Sequence, residues 1–352
     1  MRKIFLFLLP GLLLSCKNDS TSTYQSPKEV SIQLEPISTD TLSVRALDVK
    51  DGTFWFAGNR STYGAYHDTL GSIQKGRVVF NGNDQLELRS IAVTADYTFI
   101  LTAGNPALIY RISHQNDSLA LVYEESGEKV FYDSMKFWND MDGIAMGDPQ
   151  EDCFTVLTTN DGGDTWSKIT CDKLPTIVEG EAAYAASNSN IALQGDHIWI
   201  ATGGLAARVL HSPDHGKTWE VQETPMTSGG EMTGIYALDF YDENLGVMIG
   251  GDWNAKDNKI ANKAITRDGG KTWKLIADGN GPGYCSDIAF VPQTHGNELI
   301  AVGSPGIWWS GNQGQDWKQL STTGFYTIAM IDDQQGLLAG NNQISRFELD
   351  RK

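Results

Sequence analysis

One short turn is spelled four times in this chain. "TNDGGDTW" ends at Trp166, "SPDHGKTW" at Trp219, "TRDGGKTW" at Trp273 and "SGNQGQDW" at Trp317, so the tryptophans recur at intervals of 53, 54 and 44 residues. A period of that size means that one supersecondary unit is copied and stacked, because no single copy can bury its own apolar face. Between the turns lies a second repeated element: a short apolar strand, a turn, and another strand that ends in glycine. It begins with "SVRALDVKDGTFWFAGN" (43–59) and "LRSIAVTADYTFILTAGN" (88–105) and is found seven times, its glycines at 58, 104, 147, 203, 251, 303 and 340.

In units three to six the strand pair continues through a further hairpin that carries the glycine-rich turn. Four strands in a repeat of about 45 residues is the period of a β-propeller blade. No ten-residue amphipathic helical pattern interrupts the series. The chain is therefore expected to be all-β, a seven-bladed β-propeller. The last unit runs out: "NNQISRFELDRK" after Gly340 holds a third strand but no fourth. "VSIQLEP" (30–36) looks like the strands that follow each tryptophan, and is expected to close the ring as the outer strand of blade seven. Closure removes an exposed sheet edge.

The turn reads as structural. Asp161, Asp214 and Asp268 can accept backbone N–H bonds within it. Gly163, Gly216, Gly270 and Gly314 permit a positive φ. Trp166, Trp219, Trp273 and Trp317 bury a large apolar area against the blade. The fourth copy has Asn312 for the aspartate and Asp316 for the threonine. The pattern Ser/Thr-x-Asp-x-Gly-x-Thr-Trp resembles the Asp-box of bacterial neuraminidase-type repeats. Its acidic side chains are too few for a calcium cage, so no metal is expected.

Met1, Arg2 and Lys3 make a basic start, and Ile4 to Leu14 is an apolar run too short to span a bilayer. The "LLSC" that ends at Cys16 resembles a bacterial lipoprotein signal. That resemblance implies a signal peptide over 1–15, lipidation of Cys16, a flexible tether over 16–29 and a single propeller over 30–352. It implies export and anchoring to the cell envelope, with membrane contact through the lipid alone. Cys153 and Cys171 flank the first turn. A hairpin pairing Thr159 with Trp166 has residue numbers that sum to 325, and the two cysteines sum to 324, so they face each other closely enough for a disulfide. The formal net charge of −17 argues against nucleic acid as a partner, since phosphate would repel it.

The face opposite the turns collects the starts of the innermost strands and the loops after each repeated glycine. The starts offer Arg45, Arg89, Asp133, Glu181, Tyr236 and Tyr326; the loops offer Arg208, Asp252 and Trp253. Two arginines at equivalent places in adjacent blades, facing carboxylates and tyrosines, would form a ring that binds an anion or a partner.

"FYDSMKFW" (131–138), "GEAAYAASNSN" (180–190), "WIATGGLAARVLHSPDHGKTW" (199–219), "GIYALDF" (234–240) and "PGYCSDIAFVP" (282–292) carry a wider resemblance. From about residue 40 to 347 the chain resembles the photosystem II stability/assembly factor-like propellers of bacteria. That resemblance implies a non-catalytic role; with the tether it leads to the expectation of a binding module whose partner is an envelope protein or glycan, and no cofactor is expected. No dinucleotide fingerprint, C-x-x-C or haem-attachment motif points to redox chemistry. A second reading is a sialidase-type glycoside hydrolase. It would use Arg45, Arg89 and Arg208 for the substrate carboxylate, Tyr236 with Glu181 as nucleophile pair, and Asp133 as proton donor. Seven blades rather than six count against it, as does the position of "YRIS" (110–113) on a third strand. A third reading is a passive interaction scaffold.

Overall fold

The computed structural model describes residues 24–67 and 71–352. The expected signal peptide and Cys16 lie outside the described residues. Seven antiparallel sheets stand around a central channel, each built on four strands running from the channel outward, and the sheet of blade five is extended to six by Glu181–Ala182 and Gly203–Gly204. The innermost strands are Val44–Lys50, Leu88–Val93, Tyr132–Phe137, Ile191–Gln194, Thr233–Phe240, Asp287–Phe290 and Thr327–Met330. Each touches the next, and the last touches the first. The outer strand of blade seven is Val30–Ser38, antiparallel to Gln343–Arg351, with Val30 opposite Arg351. The chain thus closes its ring with the segment expected from sequence.

The core lies between blades. Gly143–Gly147 and Leu299–Gly303 are buried at every position, because a neighbouring blade covers each sheet face. This is why these strands read as continuous apolar runs and not as alternation. Phe99, Leu101 and Ile109 of blade two pack on Ala145 and Leu157 of blade three. Ile144, Met146 and Val156, on the other face of blade three, pack on Ile198, Ile200 and Leu210 of blade four.

The repeated glycine serves a close approach. A Cβ at Gly58 would lie 2.6 Å from the Ser43 carbonyl, and one at Gly303 2.7 Å from the Tyr284 carbonyl. Both carbonyls belong to the chain as it enters the innermost strand. Two of the seven assignments shift. In blade two the residue opposite Leu88 is Thr102, and a Cβ at Gly104 would meet nothing within 4 Å. In blade five Gly250, opposite Ile235, takes the position one residue before Gly251.

The four tryptophan turns share one hydrogen-bond pattern. The hydroxyls of Thr159, Ser212, Thr266 and Ser310 accept the amides of Gly163, Gly216, Gly270 and Gly314 at 2.8–3.0 Å. These glycines have φ between 75° and 86°. Oδ1 of Asp161, Asp214 and Asp268 accepts the amides of Thr165, Thr218 and Thr272, and Oδ2 accepts their hydroxyls. Those bonds, the Thr165 hydroxyl first, hold the Asp161 carboxyl down to about 2. Blade six reverses the polarity of the last bond: Asn312 Nδ2 donates to the Asp316 carboxylate at 2.9 Å. The two departures from the motif therefore compensate each other. Trp166 and Trp273 are buried among the packed blades. The indoles of Trp219 and Trp317 donate to the carbonyls of Gly216 and Gly314.

The outer hairpin of blade three pairs Leu157 with Lys168 and Thr158 with Ser167, the register expected from the turn. Its last strand stops at Lys168, and Cys171 opens a 3-10 turn, Cys171–Lys173. A disulfide joins Cys153 to Cys171 with their Cα atoms 5.5 Å apart. Cys285 is free and fully buried, and burial pushes its thiol up to about 12.

Aspartates on innermost strands staple adjacent blades. Oδ2 of Asp48, Asp239 and Asp287 accepts the amides of Val93, Phe290 and Ile328 in the next blade, each at 2.8–2.9 Å. Burial outweighs these bonds, raising Asp239 to about 6 and Asp287 to about 7.

Two predictions follow from these contacts. Asn312→Asp alone sets two carboxylates against each other and should cost about 1 kcal/mol. Adding Asp316→Thr should restore stability, as read by urea unfolding of both variants. For Asp287, the folded state binds its proton more tightly than the unfolded chain. Its contribution is full below the unfolded value near 4 and is lost as pH rises through about 7. Wild type should therefore gain stability between pH 8 and pH 5. Asp287→Asn should shrink that gain by about 1–3 kcal/mol, and equal gains in both proteins would refute the assignment.

Candidate functional site

The channel mouth opposite the turns is crossed by the chain itself. Glu181–Ala182 do not start the innermost strand of blade four; they pair with Gly203–Gly204, and the innermost strand begins only at Ile191. The intervening segment, residues 183–190, lies over the channel and is tied to blades one, two, three, five and seven. Asn188, at φ 69°, donates through Nδ2 to the Ile91 carbonyl at 2.8 Å and accepts the Ser90 hydroxyl at 2.6 Å. The Ser134 hydroxyl donates to the Asn188 carbonyl, and the Thr327 hydroxyl to the Ser187 carbonyl. Asp148 accepts the Ala183 amide at 2.8 Å.

A cavity of about 470 Å³ opens beside this segment. At one end stand Arg45 and Arg89, whose guanidiniums donate to the carbonyls of Ala186 and Ala185 at 3.4 and 3.0 Å. The Arg45 guanidinium lies 3.9 Å over the Tyr326 ring. Burial first, and then the charge of Arg89, lowers the Arg45 pKa, yet a guanidinium remains a cation throughout the physiological range. Arg89 pairs with Glu87 at 3.3 Å.

The other wall is aromatic. Tyr184 stacks on Tyr236 with centroids 4.1 Å apart, and Tyr236 and Trp253 each meet Tyr284 edge-on. Hydroxyl bonds fix these rings: Tyr184 donates to the carbonyls of Glu231 and Thr233, and Tyr236 to that of Met232. Lys256 covers Trp253, its ammonium 3.8 Å from the ring centre.

Of the residues expected here, Arg45, Arg89, Tyr236 and Trp253 meet at one cavity. Asp133 is fully buried, with the backbone of Ala185 beside its carboxylate. Burial, and then the charge of Asp148, pushes its carboxyl well above the usual range, against the opposing charge of Arg89. Asp252 caps the loop after blade five's second strand by accepting the Asn254 amide. Two expectations need correction. Arg208 is on the third strand of blade four, not in a loop, and it forms a buried ion pair with Glu181. Thr202 and the Thr176 carbonyl complete that pair's bonding, which leaves neither side chain free for a ligand. Tyr236 and Glu181 are consequently not partners, and the arginine triad and nucleophile pair of a sialidase are not assembled.

Sequence reasoning missed Tyr184, Phe131 and Tyr284 as lining residues. The signal was "AAYAASNSN", whose small and polar residues fit poorly in an innermost strand. Among the described residues no group of three or more His, Cys, Asp or Glu side chains is placed to hold a metal, and no helix is long and apolar enough to cross a membrane.

No curated protein matches the sequence. Among solved structures, the chain resembles YCF48 bound to D1 peptide, with 13% identity and a TM-score of 0.65 over 93% of this chain and 97% of that one. It resembles YCF48 from Cyanidioschyzon merolae at 12% identity and TM-score 0.66, over 90% and 99%. The WD40 repeats of RRP9 are similar at 12% and 0.64, over 93% and 100%. At these identities the likeness is one of fold. Residues 114–268 match the family described as Photosynthesis system II assembly factor YCF48. That stretch holds the channel-crossing segment and Trp253 but neither Arg45 nor Arg89. The chain is thus a seven-bladed propeller whose blades three to five carry the sequence pattern of the photosystem II assembly factor family.

Proposed function

We propose that this propeller is a non-catalytic binding module, exported and lipid-anchored, that holds a segment of a protein partner in the channel-face cavity. The observation that carries the reading is the pair of adjacent guanidiniums locked by the carbonyls of Ala185 and Ala186. Arg45 has no carboxylate partner among the described residues. Its remaining donors can take a carboxylate with charge assistance, and the neighbouring aromatic wall can take an apolar side chain. A partner segment with both chemistries, an acidic group beside an apolar residue, fits the cavity. The family match over 114–268 and the fold shared with a propeller solved with a peptide support this role.

The partner is expected to be an envelope protein, captured by in-cell crosslinking of the full chain. Arg45→Glu/Arg89→Glu, with an unchanged melting temperature, should reduce the captured partner at least about tenfold. Trp253→Ala should weaken capture by a smaller factor. Equal capture by wild type and the double variant would move the site off this face.

A further inference from the structure

A larger cavity, about 640 Å³, opens on the turn face between blades three and four. Its wall joins three pieces of chain. Trp138 and Asp142 come from the loop between the first two strands of blade three, and Lys217 from the turn of blade four. Lys173 comes from the 3-10 turn that the Cys153–Cys171 disulfide ties to the blade.

The charge of this wall runs against the composition of the chain. Lys168, Lys173 and Lys217 line it, and Asp142 is its one acidic residue, in a protein with 44 acidic and 27 basic side chains. Lys168 pairs with Glu125, while Lys173 and Lys217 have no carboxylate partner among the described residues. Asp142 is already engaged by Asn139. The Trp138 ring packs on His215 with centroids 4.6 Å apart, and its indole N–H is buried with no acceptor among the described residues. Asn160 and Thr165 add polar groups beside it.

Each feature selects a property of the ligand. Two free ammonium groups call for an anion. An indole ring among amide and hydroxyl groups calls for a ring with an apolar face and several hydroxyls. A volume within the ordinary range for ligand pockets is far larger than one phosphate needs. A polyanionic nucleic acid is opposed by the net charge of −17. We propose that this cavity is a second binding site, separate from the channel face, for an acidic sugar of the uronic-acid type within an oligosaccharide. The carboxylate sits between Lys173 and Lys217, and the sugar ring lies against Trp138.

The test is calorimetric titration of the full chain with a galacturonate hexasaccharide and a hyaluronan hexasaccharide. Maltohexaose serves as the neutral control and inorganic phosphate as the bare anion. At least one uronate should bind, and more weakly at 300 mM than at 50 mM salt by roughly severalfold. Lys173→Glu/Lys217→Glu should lose about tenfold or more. Trp138→Ala removes the ring face and should lose about severalfold. Arg45→Glu/Arg89→Glu should bind as wild type does. The proposal is overturned if neither uronate binds, if maltohexaose binds equally, if phosphate binds as tightly as the uronates, or if the lysine variant is unaffected while folded.

Discussion

The structure depends on burial of both faces of every sheet. A blade such as the one built on Gly143–Gly147 is apolar on each side, so it exists only between two others. A linear array would leave two such faces in water, at roughly 25 cal/mol for each Å² of apolar surface. Closing the ring hides both. Pairing Val30–Ser38 with Gln343–Arg351 makes the last sheet from both ends of the described chain, so the ring is closed by a hydrogen-bonded ladder. The aspartates that accept amides from the next blade add direction to packing that is otherwise non-directional.

Against this regular frame the channel mouth is the exception. Six blades begin their innermost strand where the repeat predicts, and blade four diverts residues 183–190 across the opening. The diversion sacrifices part of one strand, yet Asn188 alone engages blades two and three. The result is a rigid floor that presents carbonyls to two arginines. A side chain with five donors, held at one edge, is oriented at little further entropic cost when something binds the others.

Much of this was legible in the sequence, and the limits have physical reasons. The turns were readable because each residue has one local task, and local tasks leave fixed spacings. The closing strand was readable because the final repeat was visibly short. The arginines were found through equivalence between blades. Glu181 and Arg208 were misplaced because equivalence was assumed where blade four breaks the repeat; Gly104 was misplaced because Thr102 can fill the glycine position of blade two. Tyr184 and Tyr284 were missed because a lining wall is made by distant loops, and no spacing in one dimension records it.

One feature sets the orientation of the whole molecule. Residues 24–29, within the stretch expected to be a flexible tether, are held against the propeller. Tyr24 bonds to Glu298, Ser26 to the Gly311 carbonyl, and the amides of Lys28 and Glu29 to the Lys352 carbonyl. Glu298 and Gly311 belong to the turn face of blade six. The chain therefore enters its ring from the side that carries the lysine-lined cavity. Any surface that held the protein by this end would face that cavity closely and leave the arginine pocket outermost. The two openings would then sample different surroundings, one a narrow gap and the other open solvent, from a single fixed body.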